Sequence, residues 1–140
     1  MNSQTLYQAL EQKRASSAWD KVQEVPLDKG KEYYSIVRKA PAMIKTDGLG
    51  QFLAFLLAKE KKDASTLLAI TPEEAEGYLY KHLDGWLKEA PIAWTRQDNT
   101  LIERIIHENS VVYRQAAQEA LAYIGWLKRF AEARFGTKGP

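Results

Sequence analysis

The sequence predicts an all-α fold: a single-domain bundle of five to seven helices covering residues 1–140. Three observations lead to it. Apolar residues recur every three or four positions in most segments, which is the period of a helix with one buried face. Prolines, glycines and helix-capping residues stand between those segments. The 140 residues are 45% hydrophobic and include four Trp, seven Tyr and four Phe, which suits one core and argues against disorder.

Two helices are predicted in the first third of the chain. Ser3 can cap a helix that runs to about Gln23, and Val25-Pro26 ends it, because the residue before a proline is pushed out of the α region. A second helix covers about 31–46. Pro41 lies inside it, lacks a backbone N–H and crowds the preceding turn, so a kink or a break is expected there.

The middle of the chain predicts one enclosed helix and two further elements. Asp47-Gly48-Leu49-Gly50 indicates a turn, and the helix after it, from about 49 to 61, is apolar on almost every side, as in a central buried helix. A short element is predicted over 64–68. Thr71-Pro72-Glu73-Glu74 is a strong helix start, with its threonine as the cap, and that helix runs to about Glu89.

Two more helices complete the pattern. Thr95, with Asp98 three residues later, is a capping pattern ahead of a short amphipathic helix over 101–106. The last helix runs from about Ser110 to Phe135, and Gly136 ends it.

The charge is unevenly distributed along the chain. The net charge is only +2, but residues 1–62 carry +4, residues 63–111 carry −5 and residues 112–140 carry +3. Two basic ends around an acidic middle indicate a bipolar surface, with an anionic partner on one side. Scattered solvating charge explains the same composition equally well.

Several classes of protein are disfavoured. The chain has no cysteine, so disulfides and thiolate metal sites are ruled out. We expect a cytoplasmic protein with no membrane contact, because the first residues lack a secretory signal and the longest apolar stretch is too short for a bilayer.

The residues do not predict catalysis, a cofactor or a metal site. His82 and His107 fall on different predicted helices, and neither belongs to a pair with metal-ligand spacing. Glu73, Glu74 and Glu76 cluster at a helix start, where negative charge complements the helix dipole. We therefore expect a protein that is not an enzyme.

Two basic helix faces are the most informative feature. Lys31, Arg38 and Lys45 are spaced by seven and form one stripe, with Lys39 beside it. On the last helix Arg114, Lys128 and Arg129 share a broad sector. Fixed positive charge at such spacing suits contact with phosphates, but a solvated helix face is the usual fate of such residues. The residues alone slightly favour the solvated face.

Two segments carry a family resemblance. Residues 34–56, from Tyr34-Ser35-Ile36-Val37-Arg38 to Phe52-Leu53-Ala54-Phe55-Leu56, and residues 113–133, with Tyr123-Ile124-Gly125-Trp126-Leu127-Lys128-Arg129 at the centre, are similar to the small helical subunit of type III-B CRISPR effector (Cmr) complexes, the fifth in that naming series. The family commonly has Asn-Gly-Leu-Gly where this chain has Asp47. Asp47 would repel a phosphate at that turn, which favours a structural role for the glycines over an anion site.

The resemblance implies a non-catalytic RNA-binding scaffold. Several copies of such a subunit stack along the backbone subunits and line the groove that holds the CRISPR RNA and its target RNA. The resemblance makes Arg38, Lys39, Lys45, Arg114, Lys128 and Arg129 the candidate contacts to the RNA backbone, with Lys13 and Arg14 as weaker additions. Tyr33 and Trp94 are the aromatic residues we expect to dock on neighbouring subunits.

Two other functions stay open from the residues. The first is a helical protein–protein adaptor with no nucleic-acid contact of its own. The second is a helix-turn-helix DNA regulator. It is less favoured, because no short second helix with base-reading polar residues follows a tight turn.

Overall fold

The structure is a computed structural model, and it describes residues 2–136. Within that range the chain forms seven α-helices, a short 3-10 turn over Leu27–Lys29 and no strand, which confirms the all-α fold class. The helices are α1 (Ser3–Glu24), α2 (Gly30–Asp47), α3 (Leu49–Glu60), α4 (Ala64–Leu68), α5 (Ala75–Glu89), α6 (Leu101–His107) and α7 (Ser110–Phe135). No helix in the described part of the chain combines the length and the apolar character needed to cross a bilayer.

Helix α7 is the main packing partner of both α1 and α2, while α3 and α5 pack on each other and on α2. The core between them is rich in aromatic side chains. Trp86 of α5 and Tyr123 of α7 stack with their ring centroids 5.2 Å apart and their planes within 11°. Tyr33, Tyr80 and Phe52 are also fully enclosed.

Helices α2 and α7 run antiparallel. The start of α2 meets the end of α7, where the ring of Phe135 covers Gly30. The end of α2 meets the start of α7, where the Gly50 N–H donates to the Tyr113 hydroxyl at 2.9 Å. Exposed side chains of the two helices therefore border one continuous seam.

Helix α2 does not break at Pro41, so this part of the expectation was wrong. The helix is continuous from Gly30 to Asp47. Val37, Ala40 and Ile44 are all buried on either side of the proline. Burial of such side chains outweighs the loss of one backbone hydrogen bond, since each large apolar group contributes about 1.5–3 kcal/mol.

Helix α5, and not α3, is the most enclosed helix. Ten of its 15 residues are buried, against five of 12 in α3. Helix α3 is apolar all round because its exposed side carries the small residues Ala54 and Ala58. The apolar composition of α3 therefore led the sequence analysis to overestimate how much of this helix is buried.

The start predicted for α5 and the cap predicted for α6 were wrong, while the start of α6 at Leu101 agrees with the prediction. Helix α5 begins at Ala75, because the Glu60 carboxylate accepts the N–H groups of Glu73 and Glu74 at 2.6 and 2.7 Å and holds them in an extended segment. Helix α6 begins after Thr100, whose hydroxyl accepts from the Glu103 N–H. Thr95 instead bonds the Glu108 carboxylate.

Candidate nucleic-acid interface

One end of the α2–α7 seam is a groove between the start of α2 and the end of α7. Its walls are Lys31, Tyr34, Arg38, Glu132, Ala133, Phe135 and Gly136, and we call it the Arg38 groove. Lys31 and Arg38 are exposed, and Tyr34 between them is half-buried. The Arg38 guanidinium lies over the Tyr34 ring, 4.4 Å from its centroid.

The other end of the seam holds Arg114. A cavity lies at this end of the seam. The residues that border it from the end of α2 and the start of α3 are Ile44, Gly48 and Leu49, and those on the side of α7 are Glu108, Ser110, Tyr113, Arg114 and Ala117. Lys45 is exposed on the turn of α2 that carries Ile44. Lys45 and Arg114 therefore flank the same end of the seam, about 20 Å from Lys31 by the rise of 1.5 Å per residue.

Lys128 and Arg129 both lie close to the Arg38 groove. Lys128 lies one turn before Glu132, which borders that groove, and Arg129 lies one turn before Ala133, which borders it too. Both side chains are exposed. Arg129 is rotated by about 100° from Lys128, so the two cations point to different parts of the groove's rim.

Lys39 faces another side of α2. It lies in a depression with Lys59, Glu32 and Glu76, between α2, α3 and α5. The carboxylates there make the surroundings of Lys39 mixed in charge. The other five predicted contacts, Arg38, Lys45, Arg114, Lys128 and Arg129, lie along or beside the seam, and Lys31 joins them.

The seam cations are not committed to structural contacts. Within residues 2–136, none of Arg38, Lys39, Lys45, Arg114, Lys128 and Arg129 has an ion pair within 4.0 Å or a side-chain hydrogen bond. Arg134, by contrast, donates to the carbonyl oxygens of Val22 and Val25 at 2.6 and 2.7 Å. Arg104 likewise donates to the Asp98 carbonyl at 2.7 Å.

Arg14 belongs to this second, structural class, so its proposed role as an additional RNA contact was wrong. It is 8% exposed. Its guanidinium donates to both carboxylate oxygens of Glu119, at 2.6 and 2.8 Å. These hydrogen bonds raise the pKa of Arg14 above its ordinary value. Lys13, the other additional candidate, is exposed but lies on the groove between α1 and α5.

The glycine turn between α2 and α3 has a structural role. Gly48 has φ +91° and ψ 158°, a conformation that is essentially restricted to glycine. Its N–H bonds the Ile44 carbonyl, and the Gly50 N–H is taken by Tyr113. The N–H groups of both glycines are therefore used within the protein, which supports the structural interpretation over an anion site.

Both histidines are engaged in structural contacts. His82 is buried, and its Nδ1 lies 2.8 Å from the Tyr33 hydroxyl. Its Nε2 lies 3.5 Å from a Glu24 carboxylate oxygen, longer than an ordinary hydrogen bond. Burial is therefore the stronger effect, and it lowers the pKa of His82. His107 is exposed, with its Nδ1 2.8 Å from the Glu103 carbonyl oxygen.

One carboxylate cluster was not predicted. Side-chain oxygens of Glu32, Glu74 and Glu76 lie within 4.8 Å of one another, on α2 and at the start of α5. Glu74 and Glu76 were expected to complement a helix dipole. The packing of α2 against α5 adds Glu32, which the order of residues along the chain does not reveal.

Of the two predicted docking aromatics, Tyr33 was wrong and Trp94 stays a prediction. Tyr33 is fully buried. Trp94 is half-buried, and its indole N–H donates to the Leu87 carbonyl. The large apolar side chains that are exposed on the described part of the chain include Leu6, Tyr7, Trp19, Leu27, Ile106 and Val111. Leu6 and Tyr7 both lie near the start of α1.

Tyr34 is the residue of the seam that sequence reasoning missed. It was part of the family-like segment, but no role was predicted for it. Its spacing of four residues from Arg38 places both side chains on one helix face, and this signal was available in the sequence.

Two comparisons with known proteins identify the family of this chain. The sequence model of the family described as "CRISPR-associated protein (Cas_Cmr5)" matches residues 10–134. The chain is also 28% identical over 120 residues to the CRISPR system Cmr subunit Cmr5 of Thermus thermophilus, a match that covers 85% of this chain and 90% of the relative. The matched region contains the whole α2–α7 seam up to Glu132. This chain belongs to the Cmr5 family of CRISPR-associated proteins.

Proposed function

We propose that this chain is a non-catalytic subunit of a type III-B Cmr complex, and that its α2–α7 seam contacts the backbone of the CRISPR RNA or its target RNA. The first half of the proposal rests on the family and on the relative, which is named as a Cmr subunit. In this role other subunits would carry out cleavage. His82, Thr100 and Glu60 all make hydrogen bonds within the protein, as expected of residues with structural roles.

The row of exposed cations along the seam is the observation that carries the second half. Lys31, Arg38 and Lys128 lie toward one end, and Lys45 and Arg114 lie at the other. Contacts at both ends, about 20 Å apart, suit a ligand that presents several phosphates in a row. Binding through phosphates is independent of sequence, which fits a complex whose target is selected by base pairing.

Neighbouring protein subunits would use a different surface. The first turns of α1 expose Leu6 and Tyr7, and a groove between α1 and α5 runs from Leu6 past Leu10 to Trp86 and Pro91. Charged residues, among them Lys13 and Glu89, also line this groove. We assign this mixed surface to contacts with backbone subunits and with further copies of the chain. Lys39 lies in a different depression and is a candidate for a separate RNA contact, and Arg129 is a candidate beside the Arg38 groove.

The proposal is tested by measuring RNA binding as a function of salt. Arg38→Ala, Lys45→Ala, Arg114→Ala and Lys128→Ala should each weaken binding to unrelated single-stranded RNAs alike. Each should also reduce the slope of log affinity against log salt by about 0.7. Arg96→Ala is the matched control, because Arg96 carries the same charge but is paired with Asp98 in the acidic middle of the chain.

Two results would contradict the proposal. If the seam variants bind RNA like the wild type, or if Arg96→Ala weakens binding as much as they do, the seam is a solvated face and the adaptor function is favoured. If the purified chain cleaves RNA in a metal-dependent way that survives stringent purification, the non-catalytic role is wrong. Binding is measured at high protein concentration and low salt, since one small basic surface has little affinity until copies are joined.

A further inference from the structure

We infer that Tyr34 is a positioning residue of the RNA-contacting seam: its ring holds the Arg38 guanidinium in the open Arg38 groove and keeps it from pairing with Glu132. The inference rests on the proposed function and adds to it a residue with no charge of its own. The ligand class is the phosphodiester backbone of single-stranded RNA.

The first step is the contact between the two side chains. The Arg38 guanidinium carbon lies 4.4 Å from the centroid of the Tyr34 ring. Tyr34 is half-buried and packs against the hydrophobic core, so its ring is itself held in place. A guanidinium over a fixed aromatic face loses little further freedom when it binds a phosphate.

The second step is the competing acceptor. Glu132 borders the same groove from the α7 side and is exposed. Arg38 and Glu132 form no ion pair within 4.0 Å in the described structure. A free arginine side chain is long and flexible enough to reach a carboxylate across a groove, and a planar two-point pair would then neutralise both groups. The ring of Tyr34 supplies the alternative position for the guanidinium.

The third step is the consequence for charge. With Arg38 held on Tyr34, the groove presents Lys31 and Arg38 as separate cations to a phosphate. With Arg38 paired to Glu132, Lys31 alone keeps a free positive charge among the described residues that line this groove. The expected effect is therefore on RNA binding, and it acts through Arg38.

The experiment measures binding of the full-length chain to a fluorescently labelled oligouridylate at low salt. Tyr34→Leu should weaken binding by about two- to fivefold, the range expected for an exposed cation–π contact. Tyr34→Phe should bind like the wild type because it keeps the ring. Tyr34→Leu should have no further effect in an Arg38→Ala background, and adding Glu132→Gln to Tyr34→Leu should restore binding.

The set of variants separates a positioning role from a merely structural one. Circular dichroism and the thermal midpoint of each variant establish that it is folded. A loss of binding in Tyr34→Leu that persists in the Arg38→Ala background, or that Glu132→Gln does not reverse, overturns the inference. If Arg38→Ala weakens binding and Tyr34→Leu does not, the inference fails and the proposed function stands. If Arg38→Ala has no effect on binding, the contact proposed for Arg38 fails as well.

Discussion

Arg14 of α1 and Glu119 of α7 are 105 residues apart in the sequence and meet in a buried, two-point ion pair. Nε of Arg14 donates to one carboxylate oxygen at 2.6 Å, and a terminal guanidinium nitrogen donates to the other at 2.8 Å. The Trp86 indole N–H of α5 also donates to this carboxylate, at 2.9 Å. One glutamate thus joins three helices.

The first prediction concerns this junction. Glu119→Ala should lower the free energy of unfolding by about 3–5 kcal/mol, because it leaves a buried guanidinium and a buried indole N–H without their acceptor. Glu11→Ala is the matched control, since Glu11 also pairs with Arg14 but is partly exposed. Glu11→Ala should lower the free energy of unfolding by about 1 kcal/mol or less. Urea titration of both variants measures the two losses. Equal losses in both variants would refute a special role for Glu119.

The second prediction compares Glu60, which binds the segment before α5, with Thr71, the cap that the sequence indicated. Glu60→Ala should lower the free energy of unfolding by about 1.5–3 kcal/mol, because two backbone N–H groups lose a charged acceptor. Thr71→Ala should change it by no more than about 0.5 kcal/mol, since Thr71 is exposed and lies outside α5. Chemical denaturation of both variants measures this, and a larger loss in Thr71→Ala would reinstate the sequence-based cap.

The third prediction concerns pH. Burial lowers the pKa of His82, so the unfolded chain takes up a proton on acidification before the folded chain does. Stability should therefore fall as pH drops below the ordinary histidine value of 6.5 toward the lower folded pKa. Glu24 adds a second loss at lower pH: contact with His82 lowers its pKa below 4.5, and the stability it contributes disappears as pH falls through that lowered value.

Variants of the two histidines test the assignment of the first loss. His82→Gln should be less stable at neutral pH but should show a flatter stability profile between pH 7 and pH 5. His107→Gln should keep the wild-type profile, because that side chain is exposed. Thermal midpoints across this pH range are the measurement. An unchanged profile in His82→Gln would assign the pH dependence to other groups.

The parts of the fold that depend on local signals could be predicted from the sequence. The last helix was expected from Ser110 to Phe135 and has those bounds, because its apolar period is long and Gly136 follows it. The short helix over Ala64–Leu68 was also predicted, and the Asp63 side chain caps it by accepting the Thr66 N–H. These signals lie within a few residues of the elements that they define.

The errors came from interactions between distant residues. Glu60, on the adjacent helix α3, accepts a backbone N–H from the segment before α5 and so moves the start of α5 along the chain. The capping box predicted at Thr71 did not take this competing acceptor into account. The same limit applies to the candidate interface. Arg38 and Lys39 are neighbours in sequence, but only the packing of α2 on α7 places Arg38 on the seam and Lys39 beside Glu32.

The junction of Arg14 and Glu119 also has a kinetic side. Helix α1 is synthesised before α7, its main packing partner. At synthesis rates of about 5–20 residues per second, the 105 residues between Arg14 and Glu119 correspond to a delay of about 5–20 s. During this interval Ala18 and Val22 of α1 lack most of the surface that buries them, so the nascent chain exposes an apolar helix that is covered only when α7 has been synthesised.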